Sequence, residues 1–204
     1  MIIKKSNPEY FDGIEVLQTE KFPLVPVRFY NLAKKTKDYI LEYLTICFIT
    51  EQVPYINHIG SVTFEILSAI DKVDNMDADL AIKCALLHDS IEDTDFTFEQ
   101  VQEQFGSTVA AGVLALTKNE TIKGKENQMR DSLHRIKQQA KEVWAVKLAD
   151  RICNLSPPPY YWTKEKKQAY LVEAQLIHQE LKDGNSYLAE RLAHKIIAYK
   201  EFIV

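Results

Sequence analysis

Apolar residues recur at spacings of three and four along most of this chain, and strictly alternating apolar runs are few. That periodicity predicts helices rather than sheet. Arg28 to about Thr50 has the helical spacing, with Leu32, Tyr39, Tyr43 and Ile46 in phase. Pro54 in "EQVPY" disfavours helix at the residue before it, so a break is expected there. Asn57 is the expected N-cap of a helix to about Ile70. Asp77 can cap the next helix, which carries "CALLHDSIEDTDFT", Cys84 to Thr97. Thr97 and Gln100 form a capping-box pattern, and the helix they start stops at Phe105-Gly106, where glycine supplies a left-handed residue. Another helix reaches about Thr117, followed by the loop "KNETIKGKEN". Helices are expected over 127–140 and 142–155, then a hard break at the three prolines of "SPPPYYW". Helices over 163–181 and 186–202, parted by the turn "DGN", complete the chain.

Residues 1–26 lack this pattern. "IEVLQTEKFPLVPVRFY" mixes β-branched residues with prolines and suits a short strand or hairpin. The expectation is an all-α helical domain over 27–204 with a small irregular appendage over 1–26.

Composition narrows the function classes. The chain has 204 residues and a formal net charge of −4, which argues against a non-specific nucleic-acid binder. The most apolar run, Tyr39 to Ile49, is interrupted by Glu42 and too short to span a bilayer, so no membrane role is expected. "MIIKKSNPEY" is too short and polar for a signal peptide. Three cysteines, Cys47, Cys84 and Cys153, are an odd number without CxxC spacing, and reduced thiols in a cytoplasm are the simplest reading.

The stretch from His88 carries the chemistry. His88, Asp89, Glu92, Asp93 and Asp95 fall within a few residues of an apolar helix. On a helix, His88 to Asp93 would crowd one end of one face, where the dipole favours cations. A divalent metal offsets such a cluster. His58, His88, Asp89 and Asp150 together offer two imidazoles and two carboxylates from separate helices. Mixed nitrogen and oxygen ligation suits Mn²⁺, Fe²⁺ or Zn²⁺, and the absence of thiolates argues against structural zinc. Glu92 and Asp93, one turn further on, can position a water and move its proton. Lys147, Asp150, Arg151 and Asn154 recur at three and four, so Asn154 faces the same way as Asp150 and can hold a sugar hydroxyl or a phosphate oxygen. His134, His178 and His194 lack acidic partners at ligand spacing and are expected at the surface or half-buried.

Four ordered motifs extend this picture: "PYINH", "ALLHDSIEDT", "FGSTVAAGVLALTK" and "VKLADRICNL". Through them the chain resembles the HD-domain hydrolases of the RelA/SpoT type. It is similar above all to the small stand-alone alarmone hydrolases, a group that includes the metazoan SpoT homologue. The resemblance spans about Pro54 to Ala193. It implies an HD-domain helical bundle and a Mn²⁺-dependent 3′-pyrophosphohydrolase acting on guanosine tetra- or pentaphosphate (ppGpp or pppGpp). By motif position it implies His58, His88, Asp89 and Asp150 as metal ligands, Glu92 and Asp93 as the catalytic pair, and Asn154 facing the nucleotide. Trp162 and Tyr170 fall where the family has a Trp and a Tyr eight residues apart near the pocket.

One region departs from the family. A basic run is usual before the first motif, yet from Asp38 to Asp71 this chain has no Lys or Arg. From Lys118 to Arg151, by contrast, nine Lys/Arg stand against five Asp/Glu. Lys118, Lys123, Lys125, Arg130 and Lys147 are therefore candidates to face a polyphosphate, and Arg151 joins them as a candidate substrate contact. Two other readings stay open at this point. One is an HD phosphohydrolase acting on another nucleotide or phosphoester. The other is a non-catalytic nucleotide- or partner-binding module, although Glu92 and Asp93 are more than metal binding alone requires.

Overall fold

The computed structural model describes residues 16–19, 22–26 and 53–203, with side chains from Asn57 onward. The chain forms two units, 1–51 and 52–204. In the first, β1 (Val16–Thr19) and β2 (Phe22–Pro26) pair antiparallel, with Val16 opposite Pro26 and Thr19 opposite Phe22. The helix expected over 28–50, and the boundary expected at residue 27, lie outside the described residues.

The second unit is all helix among its described residues. It opens with α1 (Val53–Lys72), which starts earlier than Asn57. Pro54 falls in the first turn, where a missing N–H costs nothing and a fixed φ favours the helix. Asn57 is therefore interior rather than a cap, and its carbonyl accepts the Ser61 hydroxyl at 2.7 Å. α2 (Ala78–Leu87) is capped by Asp77, whose carboxylate accepts the Leu80 N–H at 3.1 Å.

The helix does not run on through His88. Asp89 turns out of it at φ −107°, ψ 1°, and a single turn, α3 (Ser90–Asp93), follows. Hydroxyls hold this kink: Ser90 donates to the Leu87 carbonyl at 2.7 Å and Thr94 to that of Ser90 at 2.6 Å.

α4 (Phe98–Phe105) has the full capping box, with the Thr97 N–H on Gln100 Oε1 at 2.8 Å and the Gln100 N–H on Thr97 Oγ1 at 3.3 Å. Gly106, at φ 91°, ends it and admits α5 (Ser107–Leu116) directly. Phe96, Phe98 and Phe105 are half-buried. α6 (Lys125–Lys137), α7 (Lys141–Asn154), α8 (Lys164–Leu181) and α9 (Ser186–Tyr199) follow, then a 3₁₀ turn over Lys200–Phe202. Thr163 and Asn185 cap α8 and α9 through their side chains.

α7 is the hub. It packs against α1, α2, α5, α6, α8 and α9. Ala145, Val146, Leu148 and Ala149 along it are wholly inaccessible, and Ile152 nearly so. Burying the side chains of Val146, Leu148 and Ile152 stabilises by about 1.5–3 kcal/mol each. Gly112 marks where α5 meets α2 and α7. A Cβ there would lie 2.9 Å from both Cys84 Sγ and Val143 Cγ2.

Candidate metal centre and its cleft

Three elements converge on one point. α1 supplies His58, the kink after α2 supplies His88 and Asp89, and α7 supplies Asp150. Ligand atoms of His58, His88 and Asp150 all lie within 4.8 Å of one another. The two imidazole Nε2 atoms are 3.3 Å apart. His58 Nε2 is 3.4 Å from Asp150 Oδ1, and His88 Nε2 is 3.1 Å from Asp89 Oδ2. Asp89 Oδ2 also stands 3.7 Å from His58 Nε2.

The donor set fits a divalent cation. His88 Nδ1 lies 2.7 Å from the Ala85 carbonyl, which can only accept, so the ring proton belongs on Nδ1. Its Nε2 lone pair is left facing His58 and the carboxylates, the arrangement by which metal-ligating histidines are oriented. Burial opposes a charge on His88, but the Asp89 hydrogen bond and the charges of Asp89 and Asp150 outweigh it and raise the imidazole pKa. Burial likewise opposes ionisation of Asp150. The Lys147 charge, the His58 hydrogen bond, and the His88 and Arg151 charges outweigh it and hold the carboxyl well below the usual carboxylate range. Carboxylate oxygens beside two imidazole nitrogens make a mixed donor set that suits a divalent cation.

Asp150 is braced at both oxygens. Lys147 Nζ donates to Oδ2 at 3.0 Å and Asn154 Nδ2 to Oδ1 at 2.5 Å. Lys147 and Asn154 both bond Asp150 where they line the cleft. Arg151 pairs with Glu173 through Nη2, and its guanidinium carbon sits 4.5 Å from the centre of the Tyr170 ring. Trp162 meets Tyr170 edge-on, ring centres 5.2 Å apart, and Lys166 Nζ lies 4.3 Å from the centre of the Trp162 ring.

The expected site residues share one place. His58, His88, Asp89, Glu92, Asp93 and Asp150 line a single cleft of about 1520 Å³. Lys147, Arg151, Asn154, Trp162 and Tyr170 line it too. From the basic segment Lys118, Lys125 and Arg130 reach it, and Lys123 does not. Arg130 is paired with Glu126, 2.9 Å away one turn back on α6. Tyr160 and Tyr161 stand outside the cleft, 97% and 68% exposed, so of the aromatic triplet Trp162 alone turns inward. Sequence reasoning missed Glu173 and Lys166. Their only signal was the helical register that puts Lys166, Tyr170 and Glu173 on one face of α8.

A family model for the HD domain matches residues 49–193. The zebrafish (Danio rerio) guanosine-3′,5′-bis(diphosphate) 3′-pyrophosphohydrolase MESH1 is 34% identical over 148 residues, which cover 70% of this chain and 78% of that protein. This chain belongs to the HD-domain family, in its MESH1 group. The human MESH1 is 31% identical to this HD-domain chain over 148 residues, covering 71% of it and 80% of the human protein. Among solved structures, a metazoan ortholog of SpoT, described as hydrolysing ppGpp with a role in starvation responses, superposes with a TM-score of 0.60. It is 28% identical, over 74% of this HD-domain chain and 83% of its own. No helix among the described residues is long and apolar enough to cross a membrane.

Proposed function

We propose that this HD domain hydrolyses the 3′-diphosphate of guanosine tetra- or pentaphosphate and releases pyrophosphate, with Mn²⁺ as its ion. The observation that carries the reading is the cluster of His58, His88, Asp89 and Asp150, set at the end of a cleft. Its likeness to the MESH1 3′-pyrophosphohydrolases supports the substrate. In the proposed reaction water attacks the phosphorus attached to the ribose 3′-oxygen, the bond between them breaks, and a proton ends on that 3′-oxygen. The products are pyrophosphate and the 5′-phosphorylated guanosine.

The chain's own residues divide the work. His58, His88, Asp89 and Asp150 hold the ion, and Lys147 and Asn154 fix Asp150 for it. When bound, a divalent cation supplies the Lewis acidity that makes water nucleophilic near neutral pH. Glu92 and Asp93, beyond the kink, orient that water and handle its proton. Trp162 and Tyr170 form an aromatic wall against which a purine can lie, and Arg151 stacks on Tyr170. We place the enzyme in the cytoplasm, where the free thiols Cys84 and Cys153 stay reduced.

A substrate panel read by ³¹P NMR tests this. Protein with Mn²⁺ is expected to convert the guanosine alarmones to pyrophosphate, and a chelator to stop it. Release of orthophosphate, or no turnover of either nucleotide, would sink the assignment. One observation favours a second reading, an HD hydrolase with another nucleotide or phosphoester: the lack of Lys and Arg from Asp38 to Asp71. The same panel, extended to adenosine analogues and run with Fe²⁺ and Zn²⁺ beside Mn²⁺, separates the two.

A further inference from the structure

Glu92 is gripped by one residue from another element. The Lys118 backbone N–H donates to Glu92 Oε2 at 3.1 Å, and the Lys118 ammonium pairs with Oε1. Both carboxylate oxygens are therefore engaged by a single lysine far away in sequence. The segment bearing that lysine is itself pinned. Arg135 of α6 donates to the carbonyls of Leu114, Ala115 and Thr117 at 2.5, 3.1 and 2.8 Å. Ser132 adds a bond to the Ala115 carbonyl at 3.1 Å. These carbonyls close α5, where a helix lacks its own donors, so α6 fixes the end of α5 and with it the direction of Lys118. Half of the Lys118 side chain is exposed, yet it lines the cleft and feels the charges of Glu92, Asp89 and Asp150 together.

We propose that Lys118 is a positioning residue: it clamps the Glu92 carboxylate in the orientation that lets it order the attacking water, and Arg135 anchors the clamp. This rests on the assignment of Glu92 as a water-orienting group. It gives Lys118 a role distinct from direct capture of phosphate, which its place in a basic segment first suggested. A long carboxylate on a four-residue helix has several rotamers open to it, and a bidentate grip leaves one.

Crystals of the Mn²⁺-loaded protein and of Lys118→Met test the clamp directly. Methionine keeps the backbone bond and removes the ammonium. Wild type is expected to show Glu92 in one conformer on Lys118, and Lys118→Met a turned or split carboxylate. In turnover, Lys118→Met should lower kcat by about 10- to 100-fold with KM changed less than about twofold. Lys118→Arg should recover most of the rate. An unmoved Glu92 in the Lys118→Met crystals would overturn the proposal, as would a rise in KM at constant kcat, which marks a phosphate contact. If wild type leaves the guanosine alarmones intact, the substrate assignment fails, while the Glu92 conformer still decides the clamp.

Discussion

His88 uses its two ring nitrogens for different purposes, and the backbone sets which is which. The Ala85 carbonyl takes Nδ1, so Nε2 is left facing His58 and Asp89. That division was legible in the sequence only as a histidine next to a carboxylate; the carbonyl behind it appears once α2 ends at Leu87. The same holds for Lys147. Its spacing put it on the face of Asp150, but helical register cannot tell a lysine that braces a neighbour from one that reaches for a ligand. A residue-scale test comes from the thiols. Burial, with smaller help from nearby carboxylates, pushes Cys84 and Cys153 up to about 12. The neutral thiol therefore dominates at every pH below that value, and the reactive thiolate is scarce near pH 8. Iodoacetamide at pH 8 should leave both peptides unmodified in the native protein and alkylate both in guanidinium, as read by mass spectrometry. Labelling of Cys84 in the folded state would contradict its packing.

Among the elements, helix cores were readable and helix ends were less so. Caps built from adjacent residues, Asp77, Thr97 and Thr163, lie where local chemistry expects them. The start of α1 and the kink at Asp89 were not, because Pro54 suits a first turn as well as a break and because hydroxyls such as those of Ser90 and Thr94 can bond backbone carbonyls without ending a helix. Pro54 reads as a breaker until it is known to occupy a first turn. The kink is followed by Glu92, which meets Lys118 just past the end of α5. Gly112 offers an element-scale test. Alanine there would press into Cys84 and Val143 and drive α5 from its seat. Gly112→Ala should cost about 1–3 kcal/mol in urea unfolding, the usual penalty for overpacking. Gly60, with nothing within 4 Å of its missing Cβ, is the control, and Gly60→Ala should leave stability equal or slightly higher.

At the scale of the whole helical unit, the metal centre and the core share one helix. The α-helical architecture and the meeting of His58, His88, Asp89 and Asp150 were legible because hydrophobic period and motif order both survive in a single sequence. The placement of α7 among six neighbours was not, since it depends on contacts between distant segments. Coupling between ion and fold follows from the geometry. A divalent ion held at about 100 times its Kd should stabilise the protein by about 2.7 kcal/mol. Asp150→Asn should abolish that gain and Glu92→Gln should keep it, as measured by thermal unfolding with and without Mn²⁺. Equal gains in both variants would remove Asp150 from the ligand set. Hydrogen exchange carries the point further. Amides of the buried stretch of α7 from Ala145 to Ala149 should open to deuterium only when the unit opens as a whole. These amides sit directly beneath Asp150, so loading the ion should slow their exchange in proportion to the stability gained.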